Sequence, residues 1–312
     1  MTPRRVSLLL AAVAAVAALA GCGFGAGEEQ QGDGASLRVT RDFGREALSS
    51  ANTGTVREDQ TAMRFLRSNN DVQTRFGGGF VQEIDGLAGG GGAGTLDWFF
   101  YVNGIESDRG AADYELSPGD VVQWDHRDWR ETMDIRAIVG AFPEPFLHGL
   151  DGKRFPVRVE CEDSASDACR QVKDELIDAG VPATGATLGA PGAQEVIRVV
   201  VATWERARVL PSAAVVEFGP RRSGVFARFA EEGEGLELLD LAGDVVRTAG
   251  PSTGLVAAVR PADDELLWLV TGGDERGVAD AAVAFDAASL RDAFAVAVEG
   301  EKVLKLPVKE GE

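Results

Sequence analysis

Residues 97–105 read DWFFYVNGI, five apolar side chains in succession that stop at Asn103 and Gly104. In an extended chain successive side chains point to opposite sides, so Trp98, Phe100 and Val102 share one face while Phe99 and Tyr101 share the other. A half-buried strand alternates apolar with polar residues. This one demands cover on both faces, either two layers of protein or one of protein and one of ligand. The Asn-Gly pair behind it predicts a tight hairpin turn with positive φ. The same small residues would let a ligand approach the backbone closely, and both uses stay open.

Working outward, residues 36–43 (SLRVTRDF) read as a strand. Residues 58–69 (EDQTAMRFLRSN) place Ala62, Phe65 and Leu66 at helical spacing behind a capping Thr61. Residues 79–89 (GFVQEIDGLAG) read as a further strand that leaves through glycines. The run GGGGAG at 89–94 is a loop, and with no Gly-Lys-Ser/Thr after it, it is no phosphate cradle. Downstream, Pro118, Gly119 and Asp120 form a turn into a strand at 121–124. The order is strand, helix, then three strands, a mixed sheet laid on one helix.

Trp98, Tyr101, Asn103, Gly104, Gly110, Ala111, Tyr114, Leu116, Gly119, Asp120, Val122 and Trp124 together form an ordered pattern. Residues 37–130 thereby resemble a bacterial domain family related to the C-terminal domain of transcobalamin and intrinsic factor. The resemblance implies a β-grasp fold akin to the soluble-ligand-binding β-grasp domains. It also implies a small ring-shaped ligand such as cobalamin or a relative, with Trp98, Tyr101, Asn103, Gly104, Tyr114 and Trp124 as ligand-binding candidates. No separate cofactor is expected.

The N-terminus reads MTPRRVSLLLAAVAAVAALAGC: two arginines, a short apolar stretch, then small residues up to Cys22. This is the layout of a secretory signal, and its apolar core is too short to span a bilayer. Leu19, Ala20, Gly21 and Cys22 resemble the bacterial lipobox. That resemblance implies a signal peptide over 1–21, a mature chain beginning at lipidated Cys22, and a location on the outer face of the cell membrane. Residues 22–36, rich in Gly, Glu and Gln, read as a flexible tether. Of the two remaining cysteines, Cys161 and Cys169 lie eight apart, and outside the cytoplasm such a pair is expected to bond. The net charge of −19 repels nucleic acid and anionic headgroups, so the membrane link must be covalent.

The expected organisation is α+β: a β-grasp-like domain over 37–133 and a second α+β domain over 134–312 that resembles no recognised family. Residues 168–181 of the second domain predict a helix with Val172, Leu176 and Ile177 inward, and 270–277 a turn starting a helix at Val278. Several apolar runs there read as strands, the longest at 195–204 (EVIRVVVATW). With only His126 and His148, neither at ligand spacing from the cysteines, no metal site is expected. Without a nucleophile elbow or a Gly-x-Gly-x-x-Gly, no enzyme is expected either. Two functions follow as expectations. One is a lipid-anchored binding protein with an aromatic platform for a small molecule. The other is a cell-envelope interaction module without a small ligand, pairing with a protein through a sheet edge such as 195–204.

Overall fold

The structure is a computed structural model, described here for residues 29–90, 94–192, 194–230, 235–309 and 311. Cys22 and the expected signal peptide lie outside those residues. Secondary structure is α+β throughout. In the N-terminal half, β1 (Ala35–Arg41) and β2 (Glu46–Thr53) form a hairpin, and α1 (Ala62–Asn69) follows. A small sheet of β3 (Val72–Arg75), β4 (Phe80–Ile84) and β5 (Leu87–Ala88) precedes β6 (Leu96–Val102), β7 (Ile105–Glu106) and β8 (Val121–Asp128). The main sheet has the order β2-β1-β8-β6-β7, with β1 and β8 parallel. As the sequence predicts, the Thr61 side chain accepts from Arg64 N, and α1 buries Ala62, Phe65 and Leu66 together with Met63.

Strand β6 is covered twice. Trp98, Phe100 and Val102 pack with Phe65, Leu37, Val39 and Trp124 under α1, and Phe100 stacks on Trp124 at 4.9 Å. On the other side Tyr101 meets Phe294 edge-on at 5.4 Å, and Phe43 meets both Phe226 and Phe294. The second cover is therefore protein, supplied by the C-terminal half. Burying an aromatic ring of this size stabilises the fold by about 2 to 3 kcal/mol, which makes the junction a core rather than a hinge. Polar groups follow the same seam: Gln123 Nε2 donates to Asp292 O at 3.0 Å, Lys305 Nζ to Gly44 O at 2.8 Å, and Arg45 to Pro307 O.

The C-terminal half is built on β9 (Val157–Cys161), α2 (Asp167–Asp178), β10 (Ala183–Thr187), β11 (Ile197–Thr203), β12 (Ala227–Phe229), β13 (Leu236–Leu239) and β14 (Val245–Ala249). It continues with β15 (Gly254–Ala262), β16 (Glu265–Gly272), α3 (Glu275–Val283), β17 (Ala295–Glu299) and β18 (Lys302–Leu306). Seven of these strands form one sheet in the order β10-β9-β11-β16-β15-β17-β18, parallel from β10 to β16 and antiparallel beyond. Helices α2 and α3 cover one face. The three-stranded sheet β12-β13-β14 and the N-terminal half cover the other. Phe142 and Phe146 anchor the connecting segment by packing on Phe285 and Trp268.

Four expectations are corrected. The run at 195–204 is no edge, because β11 sits between β9 and β16; a strand covered on both faces reads as an unbroken apolar run for that reason. Ile177 is 63% exposed, since Val172 and Leu176 already fill the inward stripe of α2. Helix α3 starts at Glu275 rather than Val278, because the Asp274 side chain caps Gly277 N at 2.8 Å. The tether expected to run to residue 36 is already bound to the body at Glu29 and Gln30. Gln30 N donates to Val56 O, and its side chain donates to Leu116 O. Cys161 and Cys169 are joined by a disulfide between the end of β9 and the first turn of α2.

Candidate functional site: a cleft between the two halves

The six residues expected to bind a ligand are distributed among packing roles. Trp98 and Trp124 lie in the core under α1, and the indole N–H of Trp98 donates to Leu87 O at 3.1 Å. Tyr101 is 0% exposed in the core shared by both halves. Asn103 and Gly104 form the two-residue turn between β6 and β7 with φ of +54° and +77°. A Cβ on Gly104 would stand 2.6 Å from Ile138 O, so glycine is required there twice over. The Asn103 amide donates to Asp120 Oδ1 at 2.8 Å and to Gly149 O at 2.7 Å, while its oxygen accepts from Val121 N. That side chain stitches two loops together, with both amide hydrogens committed and the residue buried. Burial lifts Asp120 to about 6, against the opposing hydrogen bonds from Ser117 N and Asn103. The open aromatic platform is corrected accordingly: its second face is closed by Phe294 and its neighbours.

Tyr114 is the member of the six that lines a hollow. Two cavities of about 60 and 250 Å³ share Leu150 and Arg260; the smaller lies where the halves meet, and the larger is lined by the C-terminal half alone. The smaller is bounded by Tyr114, Glu106, Ser107, Asp108 and Asp151, the larger by Phe155, Ile197, Leu266, Lys153, Glu195 and Asp264. Leu150, Phe155, Ile197 and Leu266 give the larger cavity an apolar wall. Most charges around it are matched: Lys153 with Glu195 at 2.7 Å, Arg109 with Asp151, and Arg136 with Asp263.

Arg260 differs. It donates to the backbone oxygen of Asp263 at 2.9 Å, and among the described residues no carboxylate comes within ion-pair distance of it. Burial, reinforced by the nearby Arg136, pulls its pKa below the usual guanidinium value. Across the smaller cavity, burial pushes Glu106 up to about 7, although Arg127 at 3.8 Å acts in the opposite direction. Arg127 is itself held in the protein, donating to Thr132 O and Met133 O with its guanidinium 3.7 Å from the Phe99 ring centre. A half-buried cation without a carboxylate in contact, sharing a cavity with a carboxyl group poised near neutrality, marks this cleft chemically.

Three larger hollows lack that signature. One of about 380 Å³ between the halves has Arg130 paired with Asp128 at 3.4 Å and Lys309 with Asp42 at 3.0 Å. A groove of about 580 Å³ beside Trp204 and Phe229 has its charges paired, Arg208 with Glu217 and Arg228 with Glu237. A crevice of about 430 Å³ at the carboxyl ends of β9 and β11 carries Glu162, Asp163, Asp167 and Glu275 on its rim. Among the described residues, no three His, Cys, Asp or Glu side chains are grouped closely enough to hold a metal ion. Glu106 and Arg260 give no local sequence signal. Glu106 ends β7 and Arg260 lies within β15, and 154 positions separate them.

No curated protein matches the chain. Among solved structures, a candidate metal-binding protein from Ruminococcus gnavus ATCC 29149 is 13% identical, over 31% of this chain and 97% of that one, with a TM-score of 0.24. Haptocorrin in complex with Cbi is 17% identical, over 34% of this chain and 29% of that one, also with a TM-score of 0.24. The chain thus spans under a third of haptocorrin. Residues 59–127, from the approach to α1 into β8, match the family model described as a domain of unknown function, DUF4430.

Proposed function

We propose that the protein is a small-molecule binding protein of the cell envelope, held outside the cytoplasm by a lipid on Cys22, with its ligand in the cleft between a β-grasp-like N-terminal domain and the C-terminal domain. The observation that carries the reading is the cleft itself, where Arg260, with Asp263, Asp108 and Asp151 acting on it only from beyond ion-pair distance, lines one cavity together with Glu106 at a junction of two halves. The β-grasp assignment is supported by the order β2-β1-β8-β6-β7, its parallel central pair and the single covering helix. Cobalamin, the ligand implied by the resemblance, is a macrocycle and would require the halves to separate. A cavity of about 250 Å³, below the range of drug-sized pockets, suits a smaller molecule. Calorimetry of the unlipidated mature chain against cobalamins and a panel of small metabolites tests this. Saturable binding that is lost in Ser107→Trp, which fills the smaller cavity beside Arg260, is expected; binding indifferent to that substitution refutes the site.

A second reading, an envelope interaction module without a small ligand, is favoured by Phe218 and Val209. They stand 69% and 74% exposed between β11 and β12. In that case Phe218→Ser would abolish a partner's binding, and Ser107→Trp would leave it intact.

A further inference from the structure

We infer that the cleft takes a small zwitterion, an amino acid or short peptide with an apolar side chain, whose carboxylate is received by Arg260. The inference rests on the reading of the cleft as the ligand site. The charges argue it by elimination. A purely anionic ligand would meet Arg260 but also Asp108, Asp264 and Glu106, in a chain of net charge −19. A purely cationic ligand would compete for the carboxylates of Asp263, Asp108 and Asp151 that act on half-buried Arg260 from beyond ion-pair distance, and would leave its guanidinium without a contact anion.

A molecule carrying both charges meets both demands. Arg260 bounds both cavities, so a carboxylate placed at it has carboxylates of the protein on either side: Asp108 and Glu106 towards the smaller cavity, Asp264 towards the larger. Neither Asp108 nor Asp264 makes a side-chain hydrogen bond or ion pair within the described residues, although Asp108 acts on Arg260 from a longer distance, so an ammonium group finds a carboxylate without a contact partner in either direction. The guanidinium fork suits a carboxylate in two-point contact. Leu150, Phe155, Ile197 and Leu266 then supply the wall for an apolar side chain, and the volume of about 250 Å³ limits the ligand to roughly that size.

The test is calorimetry of the mature chain carrying Cys22→Ser, with leucine and leucyl-leucine as probes, leucinamide lacking the carboxylate, and 4-methylpentanoate lacking the ammonium. Either zwitterion is expected to bind about tenfold or more tightly than both single-charge analogues, the scale of one charged hydrogen bond. Arg260→Gln should erase the preference over leucinamide while leaving the preference over 4-methylpentanoate, and its thermal unfolding shows whether the fold is intact. Arg260→Lys should restore the preference in part. If leucinamide binds as tightly as leucine, or if Arg260→Gln retains the discrimination, the zwitterion assignment is overturned. If the analogues all bind alike and Ser107→Trp abolishes them all, the cleft stands as a site and this ligand class falls. If no probe binds, the zwitterion assignment falls, and the cleft is judged by the wider panel against Ser107→Trp.

Discussion

At Gly104 and Glu106, on either side of a single residue, local geometry and burial act in opposite directions. Gly104 has φ +77° and Ile138 O where a Cβ would be, so Gly104→Ala is expected to cost about 2 kcal/mol or more in urea unfolding. An unchanged midpoint would show that the turn yields easily. Glu106 is a destabilising residue at neutral pH, because burial raises it to about 7 from an ordinary value of about 4.3. The folded chain holds that proton more tightly than the unfolded chain. The stabilisation it provides is complete below about pH 4 and is lost as pH rises through about 7, and Asp120 adds the same trend up to about 6. Thermal unfolding between pH 5 and 8 should therefore show a falling midpoint, and Glu106→Gln should flatten the fall. Parallel curves for the two chains would remove Glu106 from the account.

Elements differ in how much of themselves they show in sequence. Helix α1 was legible down to its cap, since Thr61, Ala62, Phe65 and Leu66 lie within one and a half turns and need no distant partner to be read. Strand β6 was legible as doubly covered, and its hairpin turn followed from Asn103 and Gly104. Strands β2, β3, β10 and β14 were not legible. EALSSANT and ATGAT are polar or small, lie on sheet edges, and become strands because a neighbour offers a hydrogen-bonding ladder. The disulfide joins β9 to α2 across a short loop. Its replacement by Cys161→Ala with Cys169→Ala should lower stability by about 2 to 3 kcal/mol, measured by guanidinium unfolding. A loss near zero would mean that the capped N-terminus of α2 alone holds the loop.

For the whole molecule, the junction determines both stability and the site. A chain ending at Met133 would lose the partners of Phe43, Phe99 and Tyr101, so it should bind a hydrophobic dye or aggregate. A monomeric fragment that binds no dye would show that this face tolerates water. The same junction explains the limits of reading the chain in one dimension. Sequence by itself determined the α+β class, the helix under β6, the need for two covers on that strand and the pairing of Cys161 with Cys169, because periodicity, turn chemistry and short spacing are local. What supplied the second cover was decided only in three dimensions: Phe43, Phe226 and Phe294 converge on Tyr101 from points up to 193 positions away. The same holds for the cleft, where Glu106 and Arg260 acquire their altered ionisation from burial at a seam that no local pattern encodes.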